Sequence, residues 1–242
     1  MTAKKKLIFL AQMGAPGRYD PAIFANQPGG DNEILWFEHM LADLGLLEKI
    51  AYEGRRICYG EPLPHPSEGD AYVIGGSFHS VHDDLPWQHE IRAWLYAIRN
   101  ADYPVPVFGV CGGHQLMSQV LGGTVEGLPG EPAIGTLPIN LTEAGRDSYL
   151  FDGVVPRFNF GNEEHVSSAP PQAVVLATAT DIPNCALDYG RGWISVQFHP
   201  EASDRCMTES WGPKAATIAD HYVPTPDAPR LFQNFLKANG IL

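Results

Sequence analysis

The sequence predicts a single α/β domain in which a mixed, mostly parallel sheet is flanked by helices. Two observations lead to this prediction. In the first 123 residues, short apolar segments alternate with longer segments of helical periodicity, the order expected when helices cover a parallel sheet. From about Ile134 onward, short strand candidates follow one another between Gly, Pro and Asn turns. No linker or low-complexity stretch divides the 242 residues.

The N-terminal part begins with one strand and one helix. Leu7–Gln12 is a short apolar run, which predicts a buried strand rather than a signal peptide because the run is too short. The stretch NEILWFEHMLADLGLL has apolar residues at i, i+3, i+4 and i+7, the spacing of an amphipathic helix. Either Asp31 or Asn32 is available as the N-cap of this helix.

Two further strand–helix pairs follow. The stretch DAYVIGG predicts a buried strand, and DDLPWQHEIRAWLYAIRN predicts a helix opened by an acidic cap and a proline in the first turn. The stretch VPVFGV predicts the next strand. HQLMSQVLGG predicts the helix after it, which Gly122 and Gly123 close.

The C-terminal half predicts several strands and a terminal helix. The strand candidates are IGTLPINLT, RFNFGN, AVVLATAT, CALDYG and WISVQFH. The stretch APRLFQNFLKANG predicts a terminal helix. We therefore expect one domain over residues 1–242, with about 205–242 as a helical extension. Within it, residues 205–229 are open to two interpretations, a lid or a partner-docking segment.

Composition excludes several classes of protein. The formal net charge is −12, and Lys4-Lys5-Lys6 is the one basic run, so we expect no nucleic-acid partner. No apolar run approaches the roughly 20 residues needed to cross a bilayer, so we expect no membrane association. The four cysteines are scattered without a C-x-x-C pair, which argues against a zinc site or a disulfide scaffold. We expect a cytoplasmic protein with reduced thiols.

One cysteine lies in a distinctive setting. Residues 109–113 read GVCGG, the G-x-nucleophile-x-G pattern of a nucleophile elbow between a strand and a helix. Small neighbours allow the sharp turn, and the helix N-terminus favours a thiolate at Cys111. The N–H of Gly112 can hold a developing oxyanion. The alternative is a buried structural cysteine in a glycine-rich turn.

A base and a second oxyanion donor are available elsewhere in the sequence. In WISVQFHPE, His199 ends a predicted strand, and Glu201 lies where it can orient the imidazole. In IGGSFHSV, Gly75 and Gly76 follow another predicted strand, where a backbone N–H can complete an oxyanion hole. Taken alone, a histidine at the end of a strand is more often structural, and glycine pairs after strands are common.

Together these stretches resemble the signatures of class I glutamine amidotransferases, especially the glutaminase domain of GMP synthetase and its free-standing relatives. The resemblance rests on GVCGGHQ, HPE and GGSFHSV, and it extends to DDLPW, LGG, IGTLPINLT and LFQNFL. It implies the flavodoxin-like amidotransferase fold. It also implies an enzyme that hydrolyses the side-chain amide of glutamine through a cysteinyl γ-glutamyl thioester, releasing ammonia and glutamate.

The resemblance also implies a role for each matching residue. Cys111 is the nucleophile, His199 the general acid–base and Glu201 its orienting carboxylate. The N–H groups of Gly76 and Gly112 form the oxyanion hole. Gln115, one turn into the elbow helix, contacts the bound glutamine. No metal and no cofactor are implied.

The sequence departs from the family at one segment. Where amidotransferases related to GMP synthetase often carry an HGD-like segment, this chain reads NFGNEEHV, with Asn162 and Glu164 in place of His and Asp. The segment Asn162–His165 is either a plain acidic turn or a sign of changed specificity. A γ-glutamyl peptide or amide hydrolase is therefore an alternative function. A non-catalytic regulatory role is a third, although the complete Cys111, His199 and Glu201 set argues against it.

The sequence also bears on ATP binding, on a partner synthase and on a metal site. The sequence has no G-x-x-x-x-G-K-[ST] loop, so we expect no ATP binding. If ammonia from glutamine is delivered to an acceptor, a separate synthase must supply the acceptor site. His79, His82 and His89 lie close together in sequence, but they show no ligand pattern, and solvated side chains are the favoured interpretation.

Overall fold

The computed structural model describes residues 3–242. The strands are β1 (Lys6–Ala11), β2 (Ala51–Arg56), β3 (Ala71–Ile74), β4 (Val107–Val110), β5 (Thr124–Gly127), β6 (Ala133–Pro138), β7 (Asn140–Leu141), β8 (Arg157–Asn162), β9 (Glu164–Ser168), β10 (Val174–Ala179), β11 (Ile182–Asp188) and β12 (Trp193–Val196). The helices are α1 (Glu33–Asp43), α2 (Pro86–Arg99), α3 (Gly112–Val120), α4 (Glu143–Asp147), α5 (Asp204–Glu209), α6 (Ala215–Ile218) and α7 (Arg230–Ala238). Short 3₁₀ turns include Pro21–Phe24.

The central sheet has eight strands in the order β2-β1-β3-β4-β12-β11-β10-β7. The first five strands in this order run parallel, and β11, β10 and β7 continue the sheet with antiparallel pairings. Two separate ribbons, β5-β9 and β6-β8, lie outside it. This arrangement confirms the prediction of a mixed, mostly parallel sheet flanked by helices.

The strands bury alternate residues on the two faces of the sheet, so two apolar layers form. On one face, Phe9 and Phe108 pack with side chains of α1 and α7 such as Phe37 and Phe232. On the other face, residues such as Tyr72 pack with side chains of α2 and α3. Helices therefore cover both faces and leave the carboxyl ends of the parallel strands free to carry a site.

The start of α1 agrees with one of the two predicted caps. Asn32 is the N-cap, and its side chain accepts a hydrogen bond from the N–H of Ile34 at 3.2 Å. The predicted acidic cap of α2 is wrong, because the N-cap is Leu85, whose N–H donates to Oε1 of Gln88 at 3.0 Å. Asp84 lies outside the helix in a left-handed turn with φ of 56°.

Some strands carry no clear pattern in the sequence. Strand β2 reads AYEGRR and is partly exposed along its whole length, because it lies at the edge of the sheet. Strand β9 begins at Glu164, inside the segment for which the sequence offers an acidic turn as one interpretation. None of the helices in the described part of the chain combines the length and apolarity needed to cross a bilayer.

Candidate active site

Cys111 lies at the sharp turn between β4 and α3. Its backbone has φ of 49° and ψ of −103°, a conformation that costs energy for any residue with a side chain. A Cβ on Gly109 would lie 2.5 Å from Sδ of Met117, and a Cβ on Gly113 would overlap the carbonyl oxygen of Ile74. Glycine is therefore required on both sides of the cysteine. The turn places the thiol at the N-terminus of α3, where a thiolate is stabilised.

His199 and Glu201 form an ion pair directly beyond the end of β12. The N–H of His199 donates to the carbonyl of Asn159 at 2.8 Å, and Nδ1 of His199 lies 2.7 Å from Oε1 of Glu201. Burial disfavours the imidazolium, but the charges and hydrogen bonds of Glu201 and Cys111 outweigh burial, so the pKa of His199 lies well above its usual value. The site thus favours the imidazolium form of His199.

Two backbone N–H groups beside the thiol are available to an oxyanion. Gly75 and Gly113 use theirs, donating to the carbonyls of Leu10 and Gly75 respectively. Within residues 3–242, the N–H groups of Gly76 and Gly112 have no such acceptor. A Cβ on Gly76 would lie 2.8 Å from Cε1 of His199 and 3.6 Å from Cβ of Cys111, so this glycine lies against both catalytic candidates.

Gln197 is a site residue that the sequence interpretation missed. It is fully buried, and its Nε2 lies 3.7 Å from Sγ of Cys111, where it can donate to a thiolate. The sequence did contain a signal for Gln197. It lies two positions before His199, and side chains two positions apart in a strand point to the same face of the sheet. By itself, however, the stretch WISVQFH indicates only a strand.

Gln115 connects the elbow helix to the segment Asn162–His165, at which the sequence differs from the family pattern. Its Nε2 donates to the carbonyl of Glu164 at 2.8 Å and to Oε1 of Gln197 at 3.3 Å. The same carbonyl accepts from Nδ2 of Asn162 at 2.9 Å, and the Glu164 carboxylate accepts from the Ser80 hydroxyl at 2.7 Å. The segment therefore forms part of the site. It lies on the same side of the thiol as Gln115.

A buried carboxyl group outside the ion pair lies close to it. Glu33, at the start of α1, is 9% exposed and accepts a hydrogen bond from the N–H of Met13 at 2.7 Å. Burial raises its pKa to about 8, the charge of Glu201 adds to this, and the Met13 hydrogen bond and Arg56 oppose it. The sequence interpretation missed Glu33, because an acidic residue in the first turn of a helix is ordinary.

His79, His82 and His89 lie outside this arrangement, as do the thiols of Cys58 and Cys185. Cys58, Cys185 and Cys206 are buried and free, as is Cys111. Nδ1 of His79 pairs with Asp83, Nε2 of His82 contacts the carbonyl of Val125, and Nε2 of His89 pairs with Asp84. In the part of the chain that the structure describes, no three His, Cys, Asp or Glu side chains are grouped so that they could hold a metal ion.

The comparisons with known proteins show the family of the chain. A family model described as glutamine amidotransferase class-I matches residues 56–211, which include the elbow, His199 and Glu201. The chain belongs to this family. The match confirms the resemblance stated from the motifs, and this amidotransferase is accordingly an enzyme of the glutamine amidotransferase type.

Relatives of this amidotransferase include GMP synthases. It is 29% identical over 158 residues to a protein of Ignicoccus hospitalis named as one subunit of a glutamine-hydrolysing GMP synthase, covering 64% of this chain and 79% of that protein. It is 32% identical over 178 residues to the GMP synthase of Bartonella bacilliformis, covering 71% of this chain. The match spans only 28% of the length of the Bartonella enzyme.

Solved structures share the fold along nearly the whole chain. A glutamine amidotransferase from Thermotoga maritima superposes with a TM-score of 0.73 at 15% identity, covering 98% of this chain and 99% of that one. A glutamine amidotransferase from Methylobacillus flagellatus has a TM-score of 0.70 at 21% identity, with 99% and 95% coverage. At these identities the likeness concerns the fold.

Proposed function

We propose that this amidotransferase hydrolyses the side-chain amide of glutamine through a thioester on Cys111. The observation that carries the proposal is the strained Cys111 at a helix N-terminus, beside a partly buried His199 whose Nδ1 lies 2.7 Å from Oε1 of Glu201. A thiol, a base and an orienting carboxylate are the groups that acyl transfer from an amide requires.

In the first half of the proposed reaction, the enzyme is acylated. His199 holds the proton of Cys111, and the thiolate attacks the amide carbon. Negative charge develops on the carbonyl oxygen, where the N–H groups of Gly76 and Gly112 can stabilise it. His199 then gives its proton to the amide nitrogen, the carbon–nitrogen bond breaks, and ammonia leaves a γ-glutamyl thioester on Cys111.

In the second half, water replaces ammonia. His199 takes a proton from the water as its oxygen attacks the thioester carbonyl, and the same two N–H groups stabilise the oxyanion. The carbon–sulfur bond breaks, and glutamate leaves while Cys111 returns to the thiolate. Glu201 keeps Nδ1 protonated throughout, so that Nε2 can exchange the proton.

We further propose that ammonia released from glutamine is used by a separate synthase that holds the acceptor. The support is the likeness to a protein that is named as one subunit of a GMP synthase. The experiment on the purified chain comes first, because it needs no partner.

The test measures ammonia and glutamate release from glutamine, with Cys111→Ala as the inactive variant. Cys58→Ala is the matched control, since Cys58 is also a buried free thiol but lies outside the site. A chloroketone analogue of glutamine should label Cys111 and no other cysteine, as peptide mass spectrometry would show. Turnover that survives in Cys111→Ala, or labelling spread over the other thiols, would overturn the proposal.

A further inference from the structure

A cavity of about 540 Å³ opens beside the catalytic thiol. Its walls include Gly76, Cys111, His199 and Glu201, so it is continuous with the site described above. A molecule of water takes about 30 Å³ in the liquid, and ammonia is of similar size. The space is therefore far larger than ammonia requires, and it lies within the range of cavities that hold small organic ligands.

The cavity lies on one particular side of the thiol. Its lining includes the consecutive residues His199 to Asp204, while Gln115 and Glu164 do not line it. The nitrogen of a scissile amide must lie next to His199, which gives it a proton, and the group attached to that nitrogen extends to the same side. The cavity is therefore placed for the amine half of an amide, opposite the half that faces Gln115.

The inner wall of the cavity is aromatic. Phe24, Trp36 and Phe78 line it and pack on one another, with ring centroids 4.9 Å apart for Phe24 and Trp36 and 6.5 Å apart for Phe24 and Phe78. Met13 and Met207 add flexible thioether side chains. Such a surface favours an aromatic or other bulky apolar group by burial and by edge or face contacts with the rings.

Two segments far apart in the chain cover this cavity. The 3₁₀ turn Pro21–Phe24 contributes Phe24, and α5 contributes Met207. Gln27, just after the turn, donates from Nε2 to the carboxylate of Glu209 at 2.6 Å, at the end of α5. The cavity thus has a defined cover, and its lining also includes exposed residues such as His39 and Asp43.

We propose that this cavity binds the amine half of a γ-glutamyl amide whose amine carries an aromatic or similarly bulky apolar group. The proposal rests on the thioester chemistry of the proposed function and extends its substrate class from glutamine to such amides. The same bonds form and break: Cys111 takes the γ-glutamyl group, His199 gives its proton to the nitrogen, and the free amine leaves in place of ammonia. Water then releases glutamate.

The experiment compares γ-glutamyl benzylamide, γ-glutamyl ethylamide and glutamine as substrates of the full chain. The wild-type enzyme should hydrolyse the benzylamide with a kcat/KM at least tenfold above that for glutamine, and the ethylamide should fall between them. Trp36→Ala should lower kcat/KM for the benzylamide by about tenfold, as expected for the loss of a large apolar contact, while glutamine changes by less than about threefold. Trp87→Ala is the matched control, since Trp87 is a partly buried tryptophan that does not line the cavity.

The outcomes separate this inference from the proposed function. A kcat/KM for glutamine at or above that for the benzylamide would overturn the inference alone, and the glutaminase proposal would stand. Equal losses for the benzylamide and glutamine in Trp36→Ala would also overturn it, because the ring would then serve folding rather than the amine. Absence of glutamate release from glutamine and from both γ-glutamyl amides would overturn both.

Discussion

The side-chain nitrogen of Gln197 lies 3.7 Å from the sulfur of Cys111, although 86 positions separate the two residues in the sequence. Gln197 is fully buried, and its Oε1 accepts a hydrogen bond from Gln115, which leaves Nε2 directed at the sulfur. An amide donor at this place stabilises a thiolate more than a thiol, because the charged acceptor makes the stronger hydrogen bond.

Gln197→Met should therefore slow both turnover and alkylation at Cys111. Methionine has a similar volume but no donor. A hydrogen bond to a charged group contributes about 1.5–3 kcal/mol, so we expect a loss of about tenfold to a hundredfold in the rate of alkylation by iodoacetamide at neutral pH. Thermal unfolding of the variant gives the control for stability. Alkylation at the wild-type rate would show that Gln197 does not act on the sulfur.

Glu201→Gln should lower turnover while keeping the shape of the site. The carboxylate of Glu201 contributes to the raised pKa of His199, so its neutral counterpart should lower that pKa and leave less imidazolium at neutral pH. We expect kcat to fall by about a hundredfold or more and the alkaline limb of the kcat/KM profile, where His199 loses its proton, to move to lower pH. Glu90 is an exposed residue of α2, so Glu90→Gln serves as a control carboxylate outside the ion pair. An unchanged pH profile in Glu201→Gln would contradict the assignment.

Gly76→Ala should impair catalysis by displacing His199. The added methyl group would lie 2.8 Å from Cε1 of His199, closer than carbon atoms normally approach. Because His199 is held through Asn159 and Glu201, we expect the ring to shift and kcat to fall by about a hundredfold with a smaller change in KM. Gly130→Ala is the matched control, since a Cβ there meets nothing within 4 Å. Equal activity of the two variants would remove Gly76 from the site.

Glu33→Gln should stabilise the protein at alkaline pH. The pKa of Glu33 is raised from 4.5 to about 8, so the folded state keeps a proton that the unfolded chain releases. The stability that this raised pKa of Glu33 contributes is fully present below pH 4.5. It is lost as the pH rises through about 8, where the folded protein also releases the proton. Glutamine keeps an acceptor for the Met13 N–H and does not titrate. The free energy of unfolding in urea should exceed that of the wild type by about 2–4 kcal/mol near pH 9, and by much less near pH 4.5.

Glu38→Gln provides the comparison for that measurement, because Glu38 lies on the same helix but is less buried. A difference between wild type and Glu33→Gln that does not grow with pH would show that Glu33 is ionised in the folded protein.

His114→Asn should reduce the loss of stability in acid. His114 is fully buried in α3, its Nδ1 lies 2.6 Å from Oγ of Ser195, and burial lowers its pKa from 6.5 to about 3. Below pH 6.5 the unfolded chain protonates His114, whereas the folded protein keeps it neutral. Stability therefore falls as the pH drops from 6.5 toward 3. The variant should show a shallower dependence of the unfolding free energy on pH in that range. His89→Asn, at an exposed position, should keep the wild-type slope.

The sequence indicated much of this site because its groups lie next to turns that glycine and proline mark. Cys111 is enclosed by glycines, and His199 is followed by Pro200, so both could be found from local patterns. Their placement as acid–base partners also depended on the family resemblance. The roles assigned to Cys111, His199, Glu201, Gly76, Gly112 and Gln115 stay predictions until the variants are measured.

Other features could not be found in this way because they depend on distant contacts. Glu33 and Gln197 are ordinary residues for a helix start and a strand, and their burial beside the thiol arises only when α1 and β12 pack. The cavity depends on a 3₁₀ turn near residue 21 and a short helix near residue 204, and neither has a strong periodic pattern. Edge strand β2 escaped notice because few of its residues are apolar.

The strand order has a consequence for how the protein is made. Strand β4, which presents Cys111, is flanked by β3 and β12, and β12 is formed by residues 193–196. During synthesis β4 therefore stays an open edge until those residues have left the ribosome, and until then the thiol has neither His199 nor Gln197 beside it. The nascent chain carries Cys111 without these neighbours, and the proposed reactive centre forms only after the segment from β12 to Glu201 has emerged.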